Sequence, residues 1–174
     1  MEELVLKNDF YEWAYSDFLV NNQRGHLAEY IIAKALNTVS QKRLEWDPFD
    51  IKYKNLRIEV KSCAYIQAWE QKDFSKISFD IAPTRLFDME TEHYCEECKR
   101  QSDLYIFCLL KHKDRETINP LLLKQWVFYI VPTSFLNLNF NKQKRISLSK
   151  LQKNNIPELS FTEIKKYIDN LKLN

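Results

Sequence analysis

The run Leu104-Tyr-Ile-Phe-Cys-Leu-Leu110 most limits what this chain can fold into. It is apolar throughout and of strand length, the pattern of a central strand covered on both faces. Trp126-Val-Phe-Tyr-Ile-Val131 is a second strand, stopped by Pro132. Helical signals surround them. Asp9-Phe-Tyr-Glu12 has the form of a capping box and predicts a helix over about 9–20. Asn21 or Asn22 caps a second helix, roughly 23–37, ending near Asn37. Ser160-Phe-Thr-Glu163 is another capping box, opening a C-terminal helix to about residue 172. Strands are expected at 49–53, 56–64 and 77–81. The polar segment 84–101 leans to helix, and a basic loop (Lys142, Lys144, Arg145) follows the last strand. This order predicts an α/β sandwich with a mixed sheet. There is no linker, repeat or low-complexity tract, so residues 1–174 are expected to form a single domain.

Composition removes several function classes. The apolar fraction is 45% and the aromatic fraction 14%, enough to build a core. A net charge of +2 means that any nucleic-acid site is a local patch rather than the whole surface. The single glycine, Gly25, excludes phosphate-cradling loops of the Walker and dinucleotide types, which need several. It also excludes the Gly-x-Ser-x-Gly nucleophile of serine hydrolases. No apolar run approaches the roughly 20 residues of a membrane span. The first residues lack a signal peptide's basic start and apolar core. The chain is expected to be cytoplasmic, without a membrane partner, with Cys63, Cys95, Cys98 and Cys108 as thiols. Cys95-Glu-Glu-Cys98 beside His93 has zinc-knuckle spacing, but a structural zinc site usually needs two such pairs and no second pair exists.

The chemistry concentrates in residues 46–61. Arg57, Glu59 and Lys61 alternate with Leu56, Ile58 and Val60, so one strand face is charged and the other apolar. A turn at Lys54-Asn55 pairs Tyr53 with Leu56, Lys52 with Arg57, Ile51 with Ile58 and Asp50 with Glu59. Directly opposed residues have Cβ atoms roughly 5 Å apart. Two anions at that distance repel by about 3 kcal/mol at an effective dielectric of 20. A strand pair built only for stability would avoid this, whereas a divalent cation turns the repulsion into a binding site. Acid-x-Lys alone is common here, also occurring at Asp50-Lys52, Glu70-Lys72, Glu97-Lys99 and Glu163-Lys165. Only Glu59-Val-Lys61 combines an apolar strand setting, a partner carboxylate in register and a preceding glutamate-bearing helix.

That helix contains Arg24-Gly-His-Leu-Ala-Glu29. Its apolar face is Leu27, Ala28, Ile31, Ile32, Ala35 and Leu36, and Glu29 falls at the margin, where its carboxylate can lean toward whatever the helix packs on. Arg24-Gly25 is read as the helix start, a place for close approach to another backbone or a phosphate. Cations for a nucleic-acid backbone are Arg24, Lys52, Arg57, Lys72 and Lys76, with a second basic cluster over 142–153. After the strand, Gln67 is placed to bond a phosphate or a metal-held water, and Trp69 either stacks on a base or caps the core.

Through Asp50, Glu59-Val-Lys61 and the Arg24-Gly25-x-x-x-Glu29 helix, the chain resembles the PD-(D/E)XK nuclease superfamily, which includes type II restriction enzymes and archaeal Holliday junction resolvases. The resemblance covers about residues 23–64. There a proline usually directly precedes the metal-binding Asp; here Phe49 separates Pro48 from Asp50, leaving Asp47 as a second candidate, with register favouring Asp50. The resemblance implies a restriction endonuclease-like three-layer sandwich with a central mixed sheet flanked by helices. It implies Mg²⁺, or Mn²⁺ as substitute, on Asp50, Glu59 and the Val60 carbonyl, with Glu29 completing the site directly or through a water. Lys61 would orient or deprotonate the attacking water. The implied activity is divalent-metal-dependent hydrolysis of DNA, of the restriction or repair type. The competing reading is a catalytically silent nuclease-fold module that binds nucleic acid or a partner protein. RNA is not separable from DNA on this scaffold, and duplex cleavage, which needs two sites, points to a homodimer.

Overall fold

A computed structural model describes residues 4–40, 47–88 and 93–171. Helix α1 spans Lys7–Tyr15 and α2 spans Asn21–Ala35. The apolar stripe of α2 holds it in place: Ala28, Ile31, Ile32 and the following Leu36 are all buried. Asn37 then takes a left-handed φ of 59°. The N–H groups of Asn37 and Thr38 close the helix on the carbonyls of Lys34 and Ala33. Asparagine is one of the few side chains that tolerate this backbone.

The remaining elements are β1 (Ile51–Tyr53), β2 (Leu56–Ala64), β3 (Ser78–Asp80), β4 (Thr84–Asp88), β5 (His93–Lys99), β6 (Leu104–Leu110), β7 (Trp126–Pro132), α3 (Thr133–Phe140), β8 (Arg145–Ser147), α4 (Leu148–Lys153) and α5 (Ile164–Asn170). The central sheet has the order β1-β2-β6-β7. It is mixed: β1 and β7 run antiparallel to their neighbours, and β2 and β6 are parallel. Alternation assigns its two faces. Ile58, Val60, Ile106, Cys108 and Phe128 pack with α2 and α5 in one core. Tyr105, Phe107, Leu109 and Tyr129 pack in the other with Phe79 and Ile146, from the small β3–β8 sheet, and with Leu136 of α3 and Leu151 of α4. The fold is therefore α/β with three layers, and β6, between the outer two, is buried at every position. Among the described residues no helix is long and apolar enough to cross a membrane.

Several local expectations change. The Asp9–Glu12 pattern does not cap α1, which begins after Leu6 with no side-chain cap. Helix α2 starts two residues earlier than expected, after Val20, and neither Asn21 nor Asn22 is its cap. Arg24-Gly25 therefore lies inside the helix, and a Cβ on Gly25 would meet nothing within 4 Å, so no backbone approaches it. The segment expected to lean helical forms the antiparallel hairpin β4–β5. The stretch after β7 holds α3, β8 and α4; of the expected basic loop, Lys142 and Lys144 lie in the turn between α3 and β8, and Arg145 opens β8. The C-terminal capping box does form: Ser160 and Glu163 bond reciprocally at a short 3-10 turn, Phe161–Glu163, that leads into α5.

Candidate active site

The β1–β2 hairpin follows the expected partners Ile51↔Ile58, Lys52↔Arg57 and Tyr53↔Leu56. Lys54 makes the turn with a φ of 55°. The ladder stops there; Asp50 does not continue it to Glu59. The Asp50 N–H donates to the Ile58 carbonyl at 3.0 Å, and Asp50 Oδ2 accepts the Val60 N–H at 2.7 Å. A backbone amide has drawn the carboxylate across the strand pair. Asp50 and Glu59 nevertheless line one cleft of about 240 Å³, together with Asp47, Lys61, Asp80 and Tyr105.

Within the cleft, Lys61 Nζ donates to Glu59 Oε1 in an ion pair. Glu59 Oε2 accepts from Ser102 Oγ at 3.3 Å. Burial, then the charge on Glu59 and more weakly that on Glu29, push the Asp50 carboxyl up to about 7; the Val60 N–H and Lys61 pull the other way. Burial by itself would lower the Lys61 ammonium, but Glu59, Asp50 and Asp80 outweigh it and hold the pKa above its ordinary value. Burial and Glu59 likewise raise the Tyr105 phenol, which stays neutral. The cleft is thus a partly buried, anion-rich site with one ammonium fixed inside it.

The other sequence-derived candidates fall in different places. Glu29 is half-buried on α2 and near enough for its charge to act on both Asp50 and Cys108. Among the described residues, no three His, Cys, Asp or Glu side chains are grouped so as to hold a metal ion. The Val60 side chain faces the α2 core. Arg24 and Gln67 are buried and bonded to each other at 3.3 Å. Gln67 Nε2 also donates to the Ala64 carbonyl and to Ser75 Oγ, so this amide knits the loop after β2 together. Lys52 and Arg57 are exposed. Arg57 is engaged by Asp103, with Nη2–Oδ1 at 3.0 Å and Nε–Oδ2 at 3.2 Å. Cys95 and Cys98 are exposed thiols on β5, where an odd separation directs them to opposite faces, so a knuckle is not formed.

Sequence reasoning missed Asp80, Ser102 and Tyr105. Asp80 had a signal: in Ile77-Ser-Phe-Asp-Ile81 it takes the polar phase while Ile77, Phe79 and Ile81 turn into the core.

A family model described as bacteriophage T4 endonuclease IV matches residues 12–150, a span that includes Glu29, Asp50, Glu59, Lys61 and Asp80. No curated protein and no solved structure matches the chain.

Proposed function

The chain belongs to the bacteriophage T4 endonuclease IV family, and from that premise we propose that it is a divalent-cation-dependent DNA endonuclease of the PD-(D/E)XK type, with its catalytic centre in the cleft that Asp50, Glu59 and Lys61 share. The observation that carries this reading is the convergence of two carboxylates, one just before β1 and one on β2, on one cleft, with an ammonium bonded to one of them.

The donor set fits a hard dication. Asp50 and Glu59 offer carboxylate oxygens, and the raised pKa of Asp50 marks a negative charge that its surroundings do not fully compensate. Mg²⁺ is commonly held by only one or two carboxylates, the rest of its shell being water and substrate phosphate. Asp50 and Glu59 would hold Mg²⁺ or Mn²⁺, with the Val60 carbonyl and Glu29 completing the site directly or through a water. When bound, the ion supplies charge neutralisation at the scissile phosphate and lowers the pKa of a water. Lys61 Nζ, kept protonated by Glu59, donates to an oxygen of the phosphate and stabilises negative charge as it grows there. Asp50 keeps its place through the Val60 N–H, so the chain pre-positions its acidic wall before substrate arrives.

The test is incubation of plasmid, linear, branched and single-stranded DNA with Mg²⁺ or Mn²⁺. Cleavage that depends on the cation, and that falls by about 10²–10⁴-fold in Lys61→Ala with the melting temperature nearly unchanged, is the expected result. Undiminished cleavage by Lys61→Ala overturns the mechanism. Failure of the wild-type protein to cut any of these substrates overturns the activity.

A further inference from the structure

A second depression of about 350 Å³ lies beside the cleft, and Lys61 and Asp80 stand in the lining of both. The two have opposite charge. Among the described residues the cleft is lined by four carboxylates (Asp47, Asp50, Glu59, Asp80) and one ammonium. The neighbouring groove is lined by four cations (Arg24, Lys61, Lys76, Arg145) and one carboxylate.

Arg24 is what makes the groove more than a set of surface cations. It is only 3% exposed. One of its terminal nitrogens, Nη1, reaches the Leu19 carbonyl at 2.7 Å and Gln67 Oε1 at 3.3 Å, and Nη2 bonds to Asn21 Oδ1. All of these acceptors are neutral. Nε is buried with no acceptor, and no carboxylate pairs with the guanidinium among the described residues. A buried cation normally has a counter-charge, because desolvation without one is costly. The groove's one carboxylate, Asp80, forms no ion pair with Arg24, and the planar guanidinium suits phosphate geometry.

Resting on the endonuclease reading above, we propose that this groove is a phosphate subsite: Arg24, Lys76 and Arg145 hold the DNA backbone at a linkage next to the one cut in the acidic cleft, with Lys61 on the wall between them. A polyanion laid across both depressions then meets a cation-holding pocket at one phosphate and a ready-made cationic pocket at its neighbour. This fixes which linkage of a bound strand enters the cleft. It also gives the buried Arg24 its counter-charge only when substrate is present.

The experiment uses the full chain and an oligonucleotide spanning a mapped cut. A single uncharged methylphosphonate linkage is stepped along the strand, and affinity is read by fluorescence anisotropy in EDTA. For wild-type protein, neutralising one linkage adjacent to the cut bond is expected to weaken binding by about tenfold and to lower the slope of log affinity against log salt by about 0.7–1. In Lys76→Ala, whose side chain is exposed, and in Arg24→Lys, binding of the unmodified strand weakens and that linkage loses its special effect. If Arg24→Lys fails to fold, Lys76→Ala and Arg145→Lys carry the test. A flat pattern along the strand, or a linkage effect that survives in every folded variant, overturns the subsite while leaving the cleavage reading intact. Absence of any cation-dependent cleavage by the wild-type protein overturns both.

Discussion

At Asp50 a backbone amide attracts the carboxylate at 2.7 Å while burial and Glu59 disfavour its charge. The folded protein therefore keeps a proton there up to about pH 7, whereas an unfolded chain releases it near 4. Across that interval the native state binds more protons, so stability present below pH 4 is lost as pH rises through 7. Asp50→Asn removes the conflict and keeps an acceptor for Val60. The cation-free variant is expected to melt higher than wild type at pH 8, by about 1–2 kcal/mol, with the gain vanishing below pH 4. Melting curves across that range decide it; a variant less stable than wild type at pH 8 would contradict the assignment. Glu59 and Lys61 were legible because strand alternation fixes which face a residue takes. Asp50 was legible through hairpin register, although the ladder ends one residue short of it. Asp80 reaches the cleft on a strand whose placement depends on β8, about 65 residues away, and no local pattern reports such a pairing. The burial of Arg24 and Gln67 and their mutual bond were not legible, because pattern alone does not fix where long polar side chains end.

At the scale of elements, legibility followed burial. Strands β2, β6 and β7 carry uninterrupted or alternating apolar runs, and the structure places them where those runs predict. Replacing Ile106, fully buried in β6, with alanine is expected to cost about 2–5 kcal/mol in denaturant unfolding. A loss under 1 kcal/mol would mean that the central strand is not packed from both sides. The β4–β5 hairpin was misread because Cys95-Glu-Glu-Cys-Lys99 is exposed at every position, leaving no buried face to set a period. Helix α3 was missed for a related reason: of its buried residues Thr133, Leu136 and Phe140 only two are apolar, too few to establish a helical repeat. The end of α2 shows local chemistry outlasting a boundary error. Asn37, expected near the helix terminus, holds the left-handed position just beyond it. Asn37→Ala should destabilise by about 1 kcal/mol while Asn37→Gly is close to neutral; equal losses in both would point to a side-chain contact rather than backbone strain.

For the whole molecule, two cores on opposite faces of one sheet leave the charged phase of β2 free to line a cleft instead of filling a layer. The fold thereby stores electrostatic repulsion at the end of β1, and a bound dication would release it. Saturating Mg²⁺ should stabilise wild type by about 2.7 kcal/mol at a hundred times its dissociation constant, and should leave Asp50→Asn unchanged. The most direct measurement of that claim is a titration of the metal-free chain with Mn²⁺, followed by electron paramagnetic resonance, for wild type, Asp50→Asn and Glu59→Gln. Saturable Mn²⁺ binding to wild type, displaced by Mg²⁺ and abolished in both folded variants, is the expected result. Binding that survives both substitutions, or no binding to the folded wild-type chain, would contradict it.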